Sequence, residues 1–300
     1  RLVSKYENYL LTIIQPEHGY GLDRFRNDVV LIADSVLADY EIHYGGTAYV
    51  TGSIPQLIRQ DVQSLIKVGL VIMLIMLLVN LRSIKAVLMV FSVIIPSLIA
   101  MMGFMGWAYK ITGSNCFLFA LLNTSMPIIL LTIANSDGVH VITKFFREFR
   151  RLKNVKTAIE YAMESLLVPI FLTSITTISA FLTMISSPLE PLIGYGICMS
   201  VGIAWAWILS SLTLPAIINM ISWNPESNSI AKPSMLESLA SFFGKIVTRF
   251  PVHTFSGGMI LVLFGGIGIQ KINVDVNIAN FFKPGTEIRD SMDFMDREMS

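Results

Sequence analysis

The chain has 300 residues, 53% of them hydrophobic and only 14% charged, with a mean hydropathy of +0.64; this apolar content exceeds that of a soluble domain and points to lipid. With 22 basic against 21 acidic residues the net charge is +1, so no single-sign field supports binding of nucleic acid. The two cysteines, Cys116 and Cys198, both fall inside apolar runs, where a thiol packs as a small hydrophobe, and no disulfide is expected.

Residues 1–60 read as the end of an extracytoplasmic domain. Arg24 to Tyr40 spaces Val29, Ile32, Val36 and Leu37 as an amphipathic helix, and Tyr40 to Val50 reads as a strand closed by the turn residues Thr51-Gly52-Ser53. Six apolar stretches follow, from about Leu65 to Val79, Ile84 to Ala108, Cys116 to Ile142, Leu166 to Ile185, Leu192 to Ile221 and Val252 to Ile269. Each meets or approaches the roughly 20 residues that cross a hydrocarbon core of about 30 Å. The first is the shortest, and Lys67 near its start can snorkel and let the helix extend back toward Asp61.

The loops set the orientation. Arg82 and Lys85 separate spans one and two; Lys144, Arg147, Arg150, Arg151, Lys153 and Lys156 separate three and four; Lys232, Lys245 and Arg249 separate five and six. The alternate loops, Tyr109 to Asn115 and Ser186 to Pro191, hold only Lys110. By the positive-inside rule the basic loops are cytoplasmic and both ends of the chain extracytoplasmic. The expected division is therefore 61–222 as a five-helix membrane core, 223–250 as a cytoplasmic linker, 251–270 as a further span and 271–300 as the start of a second outer domain.

In the linker, Met235, Leu236, Leu239, Phe242, Phe243, Ile246, Val247 and Phe250 form an apolar stripe at helical period. Two readings stand side by side: a helix lying in the inner membrane interface, or one packed on the bundle. Past the last span, Ile272, Val274, Val276 and Ile278 alternate with polar residues like a strand, ahead of Lys283-Pro284-Gly285 and a helix from Glu287. The chain begins at Arg1 rather than Met and carries no signal-peptide pattern, so it reads as an internal fragment.

The chemistry concentrates in span three, where Asn135, Ser136, Asp137 and His140 interrupt an apolar run. Asp137 is the one acidic residue in any span core. A carboxylate in hydrocarbon is costly, and such residues face a bundle interior and mark proton or ion paths. Asp137 and His140 are three apart and share a helix face, where each can modulate the other's affinity for a proton. The competing reading makes the cluster a hydrated boundary feature, because Lys144 lies roughly 10 Å along the axis.

Span four carries Thr173, Thr176 and Thr177 on a face of small and hydroxyl groups, read as helix packing or as hydrogen-bonding partners near Asp137. Span five repeats Gly194, Cys198, Gly202, Ala206 and Ser210 every fourth residue, a seam for close helix packing. Pro96, Pro127 and Pro215 predict kinks near Ser92, Asn123 and Ser211. No phosphate-binding loop, metal-ligand spacing or nucleophile motif is present, so neither an enzyme, a cofactor nor a metal is expected.

The run Ala134-Asn135-Ser136-Asp137-Gly138-Val139-His140, followed by Phe145-Phe146-Arg147-Glu148-Phe149-Arg150, Ala158-Ile159-Glu160, Pro169, Thr173 to Ser179 and Leu212-Thr213-Leu214-Pro215-Ala216, resembles the fourth-to-sixth helix region of resistance-nodulation-division (RND) transporters. Val274-Asp275 through Phe281-Phe282-Lys283-Pro284-Gly285 resembles the start of that family's second outer domain. The nearest branch holds MMPL-like and hydrophobe/amphiphile exporters, related in its five-helix core to sterol-sensing domains. The resemblance implies an all-α membrane bundle, half of a twelve-helix protein, with partial α+β extracytoplasmic domains at both ends, in a bacterial inner membrane. It implies proton-driven export of hydrophobic or amphiphilic molecules, with Asp137, His140, Ser136 and Asn135 as the proton relay. Many members place the acid where this chain has Ser136, and others place it as here. Expected partners are membrane lipid, the substrate, protons, the second half of the same polypeptide and a periplasmic adaptor or lipoprotein. Two other functions share the fold: a sterol- or lipid-sensing scaffold that pumps nothing, and an auxiliary subunit of protein secretion.

Overall fold

A computed structural model describes residues 9–19, 21–227, 230, 235–273 and 282–299. Among them the regular structure is helical, with no strand. Six helices are long and apolar enough to cross a membrane: Thr47–Leu81, Ile84–Thr112, Leu122–Leu152, Val155–Ser186, Glu190–Met220 and Pro251–Ile269. The chain divides into two compact units, Asp61–Pro251 and a second made of Arg1–Gln60 with Val252–Ser300.

The first unit is a bundle. Helix α2 (Thr47–Leu81) is followed by α3 (Ile84–Thr112), α4 (Met126–Leu152), α5 (Val155–Leu182), α6 (Glu190–Ile208) and α7 (Leu214–Met220). Two of its turns are built alike. Between α2 and α3, Arg82 adopts a left-handed φ of 49° and Ser83 then caps α3, its hydroxyl accepting from the Ala86 amide. Between α4 and α5, Lys153 takes φ 57° and the Asn154 side chain accepts from the Thr157 amide. Each basic loop thus closes in two residues, a left-handed stop followed by a polar start.

Helices α3 to α7 enclose two apolar clusters. One holds Val90, Ile94, Leu131, Ile142, Phe145, Phe149, Ala158, Ala162, Leu214 and Ile218, and the other Met101, Met126, Leu130, Cys198, Met199 and Ile203. From α2, Met73, Leu77 and Leu81 join the first cluster with Leu70 packed against it, while Val68, Val71, Ile72, Ile75, Met76 and Val79 stay exposed. Helix α8 (Met235–Arg249) ends the unit.

In the second unit, α1 (Leu22–Val36), the first turns of α2 and α10 (Glu287–Met299) meet around Tyr49, Val50 and Ile288, with Val30, Tyr44, Leu57, Phe282 and Met292 packed against them. Helix α9 (Pro251–Ile269) shows no buried residue.

The segment before the first span departs from expectation. The strand over Tyr40 to Val50 is absent: residues 41–45 are irregular and α2 begins at Thr47, running through Thr51-Gly52-Ser53. Tyr49, Val50, Gly52, Ser53 and Ile58 are the buried positions, which is helical rather than alternating spacing. Gly52 allows the approach, since a Cβ there would collide with the Leu22 carbonyl of α1. The strand expected through Val274, Val276 and Ile278 lies outside the described residues. The α+β character expected at both ends is therefore replaced by helix in the first segment.

Two span boundaries also shift. Span three does not begin at Cys116; Asn115–Phe117 and Leu121–Ser125 form short 3-10 turns, with the Asn123 amide donating to the Leu118 carbonyl at 3.1 Å, and α4 starts at Met126. Pro127 consequently sits in the first turn of α4, where no helix bond is lost and no kink arises. Span four is the distal part of α5, continuous with the Ala158-Ile159-Glu160 stretch. Pro96 lies within an unbroken α3. The break expected near Ser211 takes the form of a π-helical turn, Leu209–Thr213, just before Pro215.

Candidate functional site

Along α4 the apolar positions turn inward at Leu130, Leu131, Ala134, Gly138, Val141, Ile142 and Phe145, and Asp137 lies among them, only 7% exposed. Gly138 lets α3 approach, because a Cβ there would press on the Val90 side chain at 3.3 Å. The rotation that buries Gly138 carries Asp137 toward α5.

Asp137 lines a cleft of about 400 Å³ between α4 and α5. From α4 come Thr132, Ile133, Ser136, Asp137 and His140, and from α5 Leu166, Pro169, Ile170, Thr173, Ser174 and Thr177. Below it the small residues Ala158 and Ala162, 0% and 1% exposed, lie in the aromatic cluster of Phe145 and Phe149. Pro169 stands in the α5 wall of the cleft, and its missing N–H leaves the carbonyl four residues earlier without its helix bond.

Within the cleft, Asp137 Oδ2 is buried without a hydrogen-bond partner among the described residues. Lys144, seven residues further along α4, is engaged elsewhere: its Nζ pairs with Glu148 Oε1 at 3.4 Å, and Arg151 holds the other oxygen of Glu148 at 2.9 Å. A buried carboxylate without a partner is costly to hold as an anion, and a pair of ions within a turn of one another offers it no relief.

The expected relay residues separate. Asp137, Ser136 and His140 share the cleft, the last two exposed to it, whereas Asn135 does not line it. Two residues along a helix are about 200° apart, so Asn135 faces the other side of α4, where its Oδ1 is also buried without a partner. Among the threonines, Thr173 and Thr177 line the cleft and Thr176 does not. All three hydroxyls donate to carbonyls of their own helix, Thr173 to Ile170, Thr176 to Leu172 and Thr177 to Thr173, at 2.7 to 2.9 Å. The hydroxyl oxygens of Thr173 and Thr177 retain accepting capacity toward the cleft.

Ser174, 5% exposed and in the wall, was not singled out in the sequence, nor was Thr132 opposite. Their signal is the spacing Leu166, Ile170, Thr173, Ser174 and Thr177, one face of α5, read together with Pro169. On α6 the small residues pack as a seam. Gly194, Cys198 and Gly202 are buried, a Cβ on Gly194 would collide with the Cys116 carbonyl, and one on Gly202 would meet Leu130 Cδ2 at 2.8 Å. Cys116 and Cys198 are both free thiols.

In comparison with known proteins, the model of the MMPL family matches residues 17–268, well over half of the chain and inclusive of the whole cleft. No curated protein matches the chain.

Proposed function

The chain belongs to the MMPL family, a group of RND-type membrane proteins, and from that premise we propose that it serves in secondary transport, exporting hydrophobic or amphiphilic molecules in exchange for protons. The observation that carries the proposal is Asp137, buried in a span, without a partner for Oδ2 among the described residues, at the wall of a cleft that also holds Ser136, His140 and the hydroxyls of Thr173, Ser174 and Thr177. A charge in that position is expensive. Taking up or releasing a proton there therefore changes the energy of the state in which the side chain is buried, and a helix rearrangement that alternates its exposure becomes linked to proton movement.

His140 and Ser136, exposed to the same cleft, stand where a proton would enter or leave, and Thr173, Ser174 and Thr177 offer oxygens along the opposite wall. In this reading the protein resides in a bacterial inner membrane. A second set of spans supplies the partners of Asp137, the outer segments handle substrate, and a periplasmic adaptor or lipoprotein completes the export path.

The test is flux. The complete protein is reconstituted in vesicles and substrate movement under a pH gradient is compared for wild type and Asp137→Asn, which keeps the shape of the side chain and removes its titration. The expected outcome is loss of gradient-driven flux; undiminished flux refutes the assignment.

A second reading rests on the apolar half of the cleft wall, Ile133, Leu166, Pro169 and Ile170, which suits an acyl chain or a sterol. In that case the cleft senses lipid and pumps nothing. Lipid binding to the cleft with no flux under any gradient, in wild type as in Asp137→Asn, separates this reading from the first.

A further inference from the structure

The smaller of the two apolar clusters in the bundle is rich in sulfur. Five of its eight buried residues are Met101, Met105, Met126, Met199 and Cys198, whereas the larger cluster of 23 buried residues holds only Met73 and Met89. Methionine fills irregular gaps in many cores, but here three of the sulfur residues converge on one level of the bundle. The packing at Gly202 shows how. A Cβ on Gly202 would meet Leu130 Cδ2 of α4 at 2.8 Å and Met101 Cβ of α3 at 3.1 Å, so these three positions face one another. By their order in the chain, the second and fifth spans run in opposite directions and the third and fifth in the same direction. One turn toward the N-terminus of α6 stands Cys198. The residues that reach its level are Met105, one turn on along α3, and Met126, one turn back along α4. All three are buried, at 0% to 4% exposure. A further turn along α6 is Gly194, with the Cys116 main chain against it.

We propose that the Cys198 thiol and the Met105 and Met126 thioethers form a three-coordinate site for a soft monovalent metal ion of the Cu+ type. Thiolate and thioether sulfur select such ions over harder ones. The nearby hydroxyls of Ser125 and Tyr195 are engaged with each other at 3.1 Å, and they are hard ligands in any case. Charge points the same way. One thiolate, two neutral thioethers and a monovalent cation sum to zero, and a neutral assembly is what an apolar core holds at low cost; a divalent ion would leave a positive charge buried. On binding, the Cys198 S–H bond breaks, its proton leaves to solvent and a sulfur–metal bond takes its place, with no change of oxidation state. The ligands come from three helices, so no spacing within one segment of sequence marks the site. A bound ion ties α3, α4 and α6 together at the level of Cys198. None of the three ligands lines the cleft, and the inference is independent of the role of Asp137.

The test uses the full chain, purified in detergent without oxygen and with its thiols reduced. Cu+ is supplied as its bicinchoninate complex, whose colour reports the copper lost to the protein, and the ligands of the bound copper are read by X-ray absorption. The expected result is about one equivalent of Cu+ per chain in an all-sulfur shell, with the thermal unfolding midpoint raised by copper. Cys198→Ala keeps the position apolar and is expected to weaken binding by more than the roughly 10- to 100-fold that loss of an outer-shell partner costs. Met105→Leu and Met126→Leu conserve volume and are each expected to weaken it by about 10-fold, the lower end of that range. Cys116→Ala is expected to leave the affinity unchanged. Unfolding without copper establishes that each variant is folded, and if Cys198→Ala is not, the two leucine variants decide. Failure of the wild type to take copper from the competitor overturns the proposal, as does copper held through nitrogen or oxygen. Undiminished binding in Cys198→Ala, or in both leucine variants, places the copper on other groups and overturns it equally.

Discussion

Gly194, Gly202 and Gly258 differ in what a methyl group would meet, and the difference is a stability prediction. At Gly194 the obstacle is the Cys116 carbonyl, fixed backbone; at Gly202 it is the end of the Leu130 side chain, which can turn aside; at Gly258 nothing lies within 4 Å. Gly194→Ala is therefore expected to cost about 1–3 kcal/mol, as overpacked sites do. Gly202→Ala should cost less, and Gly258→Ala nothing, since alanine is the better helix former. Thermal unfolding in detergent micelles ranks the three, and a Gly194→Ala variant as stable as the wild type would mean that α6 does not touch Cys116. At this scale the sequence disclosed the seam, because small residues recur every fourth position. It also disclosed Asp137, because an acid in an apolar run stands out by residue type alone. Asn135 was grouped with it by proximity in the chain, whereas helical geometry turns it to the far side of α4. Ser174 escaped notice because one serine among hydroxyl neighbours carries no signal until α5 is set against α4.

Among the elements, the start of the linker is tied to the basic end of α4 through Trp223. Its indole N–H donates to the Ile218 carbonyl at 3.0 Å, and its ring stands edge-on to Phe145 and Phe146 at 5.3 and 5.5 Å. Arg150 adds a bond from Nε to the Ile230 carbonyl at 2.5 Å. Trp223→Ala removes both ring contacts and the hydrogen bond. Because Trp223 is half-buried, the expected cost is roughly 2 kcal/mol, below the range for a fully buried aromatic, or about 5 °C in the unfolding midpoint of a chain this size. Trp223→Phe should recover most of the loss, and equal destabilisation by both variants would place the stability in the hydrogen bond rather than the rings. The linker's turn onto α4 left no periodic trace in the sequence, since single aromatics make the contact. Helix α8 is the reverse case, its stripe legible residue by residue and its surroundings not.

For the molecule as a whole, six spans and alternating basic loops predict an orientation that labelling can check. Cysteines introduced at Leu189, exposed between α5 and α6, and at Lys156, exposed at the start of α5, are expected to react with a membrane-impermeant maleimide from opposite sides of sealed vesicles. The native thiols are buried and give little background. Labelling of both sites from one side would break the topology. The second unit joins distant parts of the chain, with His43 stacked on Phe294 at 3.9 Å and Tyr9 edge-on to the latter at 4.7 Å. The sequence by itself determined the six apolar spans, the loops that carry the basic residues and the acid set in an apolar run, because hydrophobic length and charge are properties of a segment taken alone. Tertiary structure decided that Thr47 to Val50 is helix rather than strand, that a cleft lies between α4 and α5, and that Asp137 lines it while Asn135 does not. Those outcomes depend on which side of each helix a neighbour covers, and the neighbours come from elsewhere in the chain.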